Sequence, residues 1–214
     1  MTLPDVEPAG RSSLRGYLRN LAELLSEPAV AFMLASFVVR WFLFYGYLTY
    51  FSALVLRGVG LPPVAAGIAV SIKSVGSVVG STQVGRLGAA WPLSLLVTAS
   101  LALSGIGIAL SGLVLTLASL VVGAILLGLS DGVGAPAQKS LVTGLAPTRL
   151  RAGAISSSST SERGGKAAAP VVLAAVVVAY WAGPAVVALG VAAGTIGMAL
   201  VLGVYALARD GGTR

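Results

Sequence analysis

Several charged side chains lie within or beside the long apolar segments of this sequence, where an unpaired charge is costly. These residues are Arg40, Lys73, Asp131, Glu162, Arg163 and Lys166. An arginine or lysine at the centre of a membrane helix costs about 3 kcal/mol on insertion scales, and each apolar neighbour returns far less. Such side chains are expected to face a bundle interior or a water-filled path. We therefore take them as candidates for a substrate or proton pathway.

Each of these candidates also has a structural interpretation. Lys73 and Arg40 either recognise an anionic substrate or are buried cations bonded to carbonyl groups, and Lys73 could also couple to Asp131. Asp131 either titrates as protons move or caps a helix that nearby glycines interrupt. Glu162 and Lys166 are spaced i, i+4 and could simply pair with each other. The sequence leaves both interpretations open for each residue.

A polar face is predicted on the small-residue helix that leads up to Pro170 and belongs to the fifth predicted span, 152–180. At 100° per residue, Ser156, Ser159, Arg163 and Lys166 fall within an arc of roughly 80°. The segments on either side are almost wholly apolar. A wet face in that setting indicates one wall of a transport pathway or a helix–helix contact. On the second interpretation, Arg163 and Lys166 set the packing of this helix and do not bind substrate.

The composition argues against a soluble enzyme. The chain is 57% hydrophobic and 10% charged, with a mean hydropathy of +0.95, whereas soluble domains are about one-quarter charged. It has no cysteine and no histidine, which removes thiolate metal ligands and the commonest general base. The sequence Gly128-Leu129-Ser130-Asp131 also lacks the Gly-x-Gly-Asp pattern of intramembrane aspartyl proteases. We expect no enzymatic activity, no metal site and no cofactor.

Hydropathy divides the chain into a basic N-terminal segment (1–28), an apolar region (29–207) and a short tail (208–214). The apolar region predicts an all-α integral membrane protein with six transmembrane helices, each about 20 residues or longer. The predicted spans are 29–56, 64–84, 92–110, 113–138, 152–180 and 185–207. A turn is expected at 85–88, between the second and third spans. The lipid bilayer is therefore the first expected partner.

The distribution of basic residues predicts the orientation in the cytoplasmic (plasma) membrane. If the N-terminus is inside, the loops and termini on the inner side hold Arg11, Arg15, Arg19, Arg86, Arg149, Arg151, Arg209 and Arg214. The outer side holds only Arg57. This asymmetry places both termini in the cytoplasm. The net charge of +7 is scattered singly and forms no stripe, so no nucleic-acid partner is expected.

The N-terminal segment predicts an amphipathic helix over residues 11–27. Leu14, Leu18, Leu21 and Leu25 recur at helical spacing, with arginines on the opposite side. Such a basic amphipathic helix is expected to lie on the membrane surface. There it acts either as a plain linker helix or as a lipid sensor.

Three stretches together resemble half of a major facilitator superfamily transporter, and the C-terminal half more than the N-terminal one. Residues 11–51 are similar to the central linker and the aromatic helix that it enters. Residues 128–158 are similar to a glycine-rich helix and the basic loop after it, which contains Arg149 and Arg151. Residues 165–170 resemble an eroded antiporter motif, Gly-x-x-x-Gly-Pro, of which Gly165 and Pro170 remain. Gly85 matches part of the family's cytoplasmic loop motif.

Arg86 also matches that loop motif, although the rest of it is poorly kept. The resemblance implies inverted three-helix repeats within each six-helix bundle, and a solute site between two such bundles. A second six-helix half or a homodimer is then expected as partner, together with a small-molecule substrate. Gly76 and Gly80 form a small-xxx-small pair for close helix packing, and Gly165 and Pro170 are expected to act similarly.

The function implied by the resemblance is transport of a small solute, with proton-coupled efflux indicated by the antiporter motif alone. Two alternatives remain at this point. The chain could be a non-transporting membrane subunit that assembles with another six-helix half. It could also be an inactive fragment of a longer gene product.

Overall fold

The computed structural model describes residues 14–180 and 183–211, and the regular elements in these ranges are all helical. The helices are α1 (Leu14–Ser26), α2 (Pro28–Ala53), α3 (Pro63–Ala90), α4 (Leu93–Leu113), α5 (Leu117–Leu145), α6 (Arg151–Tyr180) and α7 (Pro184–Gly211). A π-helical turn at Leu54–Gly58 continues α2, and a 3-10 turn at Thr148–Leu150 precedes α6. The expectation of an all-α protein is confirmed.

Local sequence signals explain where the helices begin. Proline stands in the first turn of α2 and α3, where its missing N–H would have no helical acceptor. Thr116 and Ser119 form a capping box at the start of α5, each side chain accepting from the other's backbone N–H. Gly60 adopts a φ of 75° in the link between α2 and α3, a conformation that is cheap only for glycine.

Five helices in the described ranges are long and apolar enough to cross a membrane: α2 with its π-helical turn, α3, α4, α5 and residues Ala185–Ala206 of α7. These helices fit a multi-pass membrane protein. α6 is not among the five, although its 30 residues extend about 45 Å at 1.5 Å per residue. Its serine run and its charged residues make it much less apolar than its neighbours.

The six long helices pack side by side in a fixed order. The extensive contacts run from α3 to α5, from α5 to α4, from α4 to α7, from α7 to α2 and from α2 to α6. Smaller contacts join α5 to α6 and α2 to α5. As a result α2, α3, α5 and α6 can share one face of the bundle.

Glycine allows a close parallel approach between α3 and α5. A Cβ atom added at Gly76 would lie 3.2 Å from the Cα atom of Gly128, and one at Gly80 would lie 2.7 Å from the carbonyl oxygen of Leu129. A Cβ atom at Gly128 or Gly132 would in turn collide with the backbone of α3. These small residues let two helix backbones meet.

Small residues also bring α6 against α2, and these two helices likewise run parallel. A Cβ atom at Gly165 would collide with the backbone carbonyl of Val38, and Gly46 of α2 receives the side chain of Leu173. Ala169, one turn after Gly165, is fully buried, whereas Pro170 is exposed. Ala169 therefore takes the helix-packing position that the sequence analysis expected Pro170 to occupy.

Several sequence-based boundaries differ from the structure. The third span ends at Leu113 and the fourth begins at Leu117, instead of at residues 110 and 113. The predicted turn at 85–88 is wrong, because α3 continues to Ala90; a helical glycine costs only about 1 kcal/mol, too little to end a long helix. The predicted interruption around Asp131 is also wrong: α5 is continuous, includes Pro136 and reaches Leu145 instead of 138. α7 extends to Gly211, into the segment expected to be a tail from residue 208.

The first helix, α1, packs on the start of α2 and on α6. Leu24 is buried there, and Glu23 accepts two hydrogen bonds from the guanidinium of Arg149 in the α5–α6 connection. Leu18 and Leu25 stay exposed, which leaves part of the predicted apolar stripe free for a membrane surface. Residues 11–13 of the predicted helix lie outside the described residues.

Candidate functional site

Asp131 of α5 lies between two cations that belong to other helices. Lys73 of α3 donates from Nζ to its Oδ2 atom at 2.8 Å, and Nη2 of Arg40 on α2 lies 3.8 Å from its Oδ1 atom. The ammonium group of Lys73 also lies 4.6 Å from the centre of the Phe44 ring, within cation–π range. Three candidates predicted from the sequence therefore meet at one point.

A buried polar network holds Arg40 in place. Its Nη1 donates to Oε1 of Gln138 at 3.3 Å, and its Nη2 donates to the carbonyl oxygen of Ser130 at 3.5 Å. Gln138 is fully buried and donates from Nε2 to Oγ of Ser36 at 2.7 Å; Ser36 in turn donates to the carbonyl of Met33. These bonds give both terminal nitrogens of the guanidinium an acceptor and so lower the cost of burying it.

Glu162 of α6 forms a second cluster of the same kind. Its Oε1 atom accepts from Nζ of Lys166 on the same helix, and its Oε2 atom lies 3.3 Å from Nζ of Lys139 on α5. The Lys166 ammonium is 4.0 Å from the centre of the Trp41 ring and 4.9 Å from that of Tyr45. The predicted i, i+4 pair between Glu162 and Lys166 is present, and it bridges to a neighbouring helix.

An open cleft of about 390 Å³ joins the two clusters. α2, α3, α5 and α6 all contribute to it. Its lining residues are Trp41, Lys73, Ser74, Ser77, Val78, Ser81, Asp131, Gly132, Ala135, Pro136, Lys139 and Glu162. The volume lies in the range of small-molecule sites, which combine an apolar wall with a few polar groups.

The two clusters together carry an excess of positive charge. Arg40, Lys73, Lys139 and Lys166 surround two carboxylates, which leaves a formal charge of +2. Chemically, the arrangement offers ammonium donors for an anion and carboxylates that can accept a proton. Among the described residues no group of three or more acidic side chains is placed to hold a metal ion.

The structure separates the remaining candidates from this site. Arg163 is exposed on α6 and does not line the cleft. Gly85 and Arg86 are exposed near the end of α3, in helix and not in a loop. Arg149 bonds to Glu23 at the α5–α6 connection, where Arg151 is exposed as the first residue of α6.

The sequence analysis missed two residues of the site, Gln138 and Lys139. Gln138 was taken as the last residue of the fourth span and Lys139 lay beyond that span, although α5 continues for two further turns. Seven residues separate Asp131 from Gln138, which places them on the same face of a helix. That periodicity could have identified Gln138.

Comparisons with known proteins give no relative: no protein-family model matches the chain, and no curated protein or solved structure matches it. The resemblance to the major facilitator superfamily therefore depends only on the residues quoted in the sequence analysis.

Proposed function

We propose that this chain is one six-helix half of a major-facilitator-type transporter that moves a small solute across the cytoplasmic membrane. The observation that carries the proposal is the cleft between α2, α3, α5 and α6. Each of the two clusters contributes one carboxylate and one lysine to the wall of this cleft, whose volume is large enough for a small solute. Charge concentrated at mid-helix in a membrane protein is typical of a substrate or ion path.

The pairing of the helices supports inverted three-helix repeats. Exchanging α2, α3 and α4 with α5, α6 and α7 turns the α3–α5 contact into the α6–α2 contact, and the α4–α5 contact into the α7–α2 contact. The α4–α7 contact maps onto itself. Both α3–α5 and α6–α2 are parallel pairs that meet at small residues. Such a relation is expected of inverted repeats.

The geometry also supports α6 as the sixth crossing. Met33 near the start of α2, Leu145 at the end of α5 and Tyr205 near the end of α7 line one cavity, so they share one end of the bundle. α7 spans the bundle and ends there, so it begins at the opposite end. α6 connects the end of α5 to the start of α7 and must therefore cross between the two ends.

The cleft needs a second protein bundle to cover it. Lys139, six residues before the end of α5, exposes 44% of its side chain, and a charge that faces hydrocarbon is costly. A second copy of the chain or a different six-helix half would enclose the site. The inside-positive distribution of arginines favours two parallel halves with both termini of each in the cytoplasm.

Coupling to protons is proposed through the two carboxylates. Protonation of Asp131 or Glu162 removes the negative charge that holds two cations, so it changes the forces between α2, α3, α5 and α6. The outward direction is proposed from the resemblance of residues 165–170 to an antiporter motif. Efflux in exchange for protons is the resulting mechanism.

Proteoliposomes loaded with a pH-sensitive dye test this function. Addition of the transported solute, found by screening, should produce a saturable proton movement. Asp131→Asn should abolish this movement, whereas Arg57→Gln, in the π-helical turn after α2 and outside the cleft lining, should leave it intact. Solute movement without proton movement would contradict the coupling. Absence of any solute movement, both from the chain alone and from native membranes that contain it, would contradict transport.

One observation favours the alternative of a non-transporting subunit. α3 exposes Val64, Ile68 and Val75 beside an apolar groove that it forms with α5, and such a surface also suits assembly with another membrane protein. The two functions differ in the charged cleft: a subunit that only assembles should tolerate Lys73→Leu, whereas a transporter should lose flux while its membrane insertion remains intact.

A further inference from the structure

We propose that the solute held in the cleft is an organic oxyanion, a small molecule with a carboxylate or phosphate group, bound by Lys73 and Lys139. This inference rests on the proposed transport function and adds the chemical class of the substrate. It starts from the imbalance between cations and carboxylates around the cleft. A neutral or cationic solute would leave that imbalance uncompensated.

The donors of both lysines are only partly used. A lysine ammonium carries three N–H donors and no acceptor. Among the described residues, Lys73 donates to one carboxylate oxygen of Asp131, and Lys139 faces one carboxylate oxygen of Glu162. Both lysines line the cleft. Each therefore has donors left for an oxyanion, and bonds to charged oxygens are about twice as strong as neutral ones.

The two carboxylates cannot balance the site alone. Asp131 is shared by Arg40 and Lys73, and Glu162 is shared by Lys139 and Lys166. Each cluster therefore keeps a formal charge of +1, and the cleft faces both. Removing such charges from water is costly unless a counter-charge is present. A bound monoanion or dianion supplies that counter-charge.

The remaining wall fits the organic part of such a solute. Trp41, Val78, Ala135 and Pro136 line the same cleft. The Trp41 ring is positioned by two further contacts. The Lys166 ammonium group lies over it, and the Phe44 ring meets it edge to face, with ring centres 5.7 Å apart. An apolar wall next to two ammonium groups favours an anion with a hydrocarbon or aromatic body over inorganic phosphate alone.

The test measures the electrostatic preference of the cleft in native membrane fragments open to both sides. Because the chain has no cysteine, Ser77→Cys places a single thiol in the cleft wall. Its reaction rates with an anionic sulfonatoethyl thiosulfonate and a cationic trimethylammonioethyl thiosulfonate are divided by the rates of free mercaptoethanol. We expect a normalised preference for the anionic reagent of about tenfold or more, as charged clefts concentrate counter-ions by 10- to 1,000-fold.

Variants of Lys139 identify the source of the preference. Lys139→Gln should lower it several-fold, whereas Lys139→Arg, which keeps the charge, and Arg57→Gln at the end of α2 should leave it unchanged. Lys139 is half-exposed, so its replacement should not prevent folding. An effect of Arg57→Gln equal to that of Lys139→Gln would contradict the proposal.

Two outcomes separate failure of this inference from failure of the transport function. If the thiol reacts well but prefers the cationic reagent, or prefers neither, the anionic substrate is contradicted while the water-filled path remains supported. An acid-bearing partner half would give this result. If Ser77→Cys reacts with neither reagent, the cleft is not open to water, and the proposed function is contradicted as well.

Discussion

At the scale of single residues, Asp131 supplies the negative charge that compensates two cations on other helices. Its side chain is 14% exposed and faces both Lys73 and Arg40. Loss of one partner of a buried ion pair costs more than the pair itself contributes, because the other charge stays buried without compensation. The two cations around Asp131 are therefore unequal: Arg40 has Gln138 and Ser130 as further acceptors, whereas Lys73 has Asp131 and the Phe44 ring.

This inequality predicts the order of three variants. Asp131→Asn, which keeps the shape of the side chain, should lower the free energy of unfolding by about 3 kcal/mol. Lys73→Gln should have a smaller effect, since Arg40 still faces Asp131, and the double variant should recover part of the loss. Unfolding in mixed micelles followed by circular dichroism measures the cycle. Equal effects of the two single variants that add in the double variant would contradict the ion-pair network.

The sequence predicted most of this charge network. Arg40, Lys73 and Asp131 were identified because charge inside an apolar run is informative by itself. Gln138, the partner of Arg40, and Lys139, the partner of Glu162, were not identified, since a polar residue at a predicted helix end is ordinary. Partners on different helices become evident only when helix packing is known, because 98 residues separate Arg40 from Gln138.

At the scale of elements, glycine determines how α3 and α5 position Lys73 and Asp131. The predicted pair Gly76 and Gly80 lies against α5, and Gly128 fills the reciprocal place. One alternative in the sequence analysis had the glycines near Asp131, which include Gly128, interrupt this helix. That was wrong because glycine is compatible both with breaking a helix and with tight helix packing, and only the neighbouring helix distinguishes them.

A pair of alanine substitutions in α5 tests this role. A Cβ atom at Gly128 would lie 2.9 Å from the Cα atom of Gly76, whereas a Cβ atom at Gly144 meets nothing within 4 Å. Gly128→Ala should destabilise the protein by about 1–3 kcal/mol through overpacking. Gly144→Ala should be neutral or slightly stabilising, since alanine is the better helix former. Their unfolding midpoints in detergent give the comparison, and equal midpoints would show that α3 and α5 do not pack closely at Gly128.

The crossing of α6 is a second prediction for an element. Single cysteines at Thr148 and Gly183 bracket α6, and both parent residues are exposed. In intact cells an impermeant thiol reagent should label Gly183→Cys and leave Thr148→Cys unlabelled until the membrane is permeabilised. Labelling of both from outside would place the two ends of α6 on one side of the membrane and would remove the sixth span.

At the scale of the whole molecule, the bundle presents two different faces. α3 exposes 65% of Val75 beside the apolar groove with α5, while Ser77, on a different side of the same helix, lines the charged cleft. Hydropathy predicted a membrane protein with several long apolar helices, five of which are long and apolar enough to cross a membrane among the described residues. It did not predict this division, because α3 is apolar on almost every side and its serines are small enough to suit either lipid or protein.

The measurement that tests the central claim most directly compares the water accessibility of these two faces. Ser77→Cys and Val75→Cys lie at nearly the same depth in α3, and the chain has no other cysteine. In native membranes, a neutral hydrophilic thiol reagent should modify Ser77→Cys at least tenfold faster than Val75→Cys, because the proposed solute path is water-filled and the groove is proposed to face hydrocarbon. Equal rates, or faster modification of Val75→Cys, would contradict a solute pathway through the cleft.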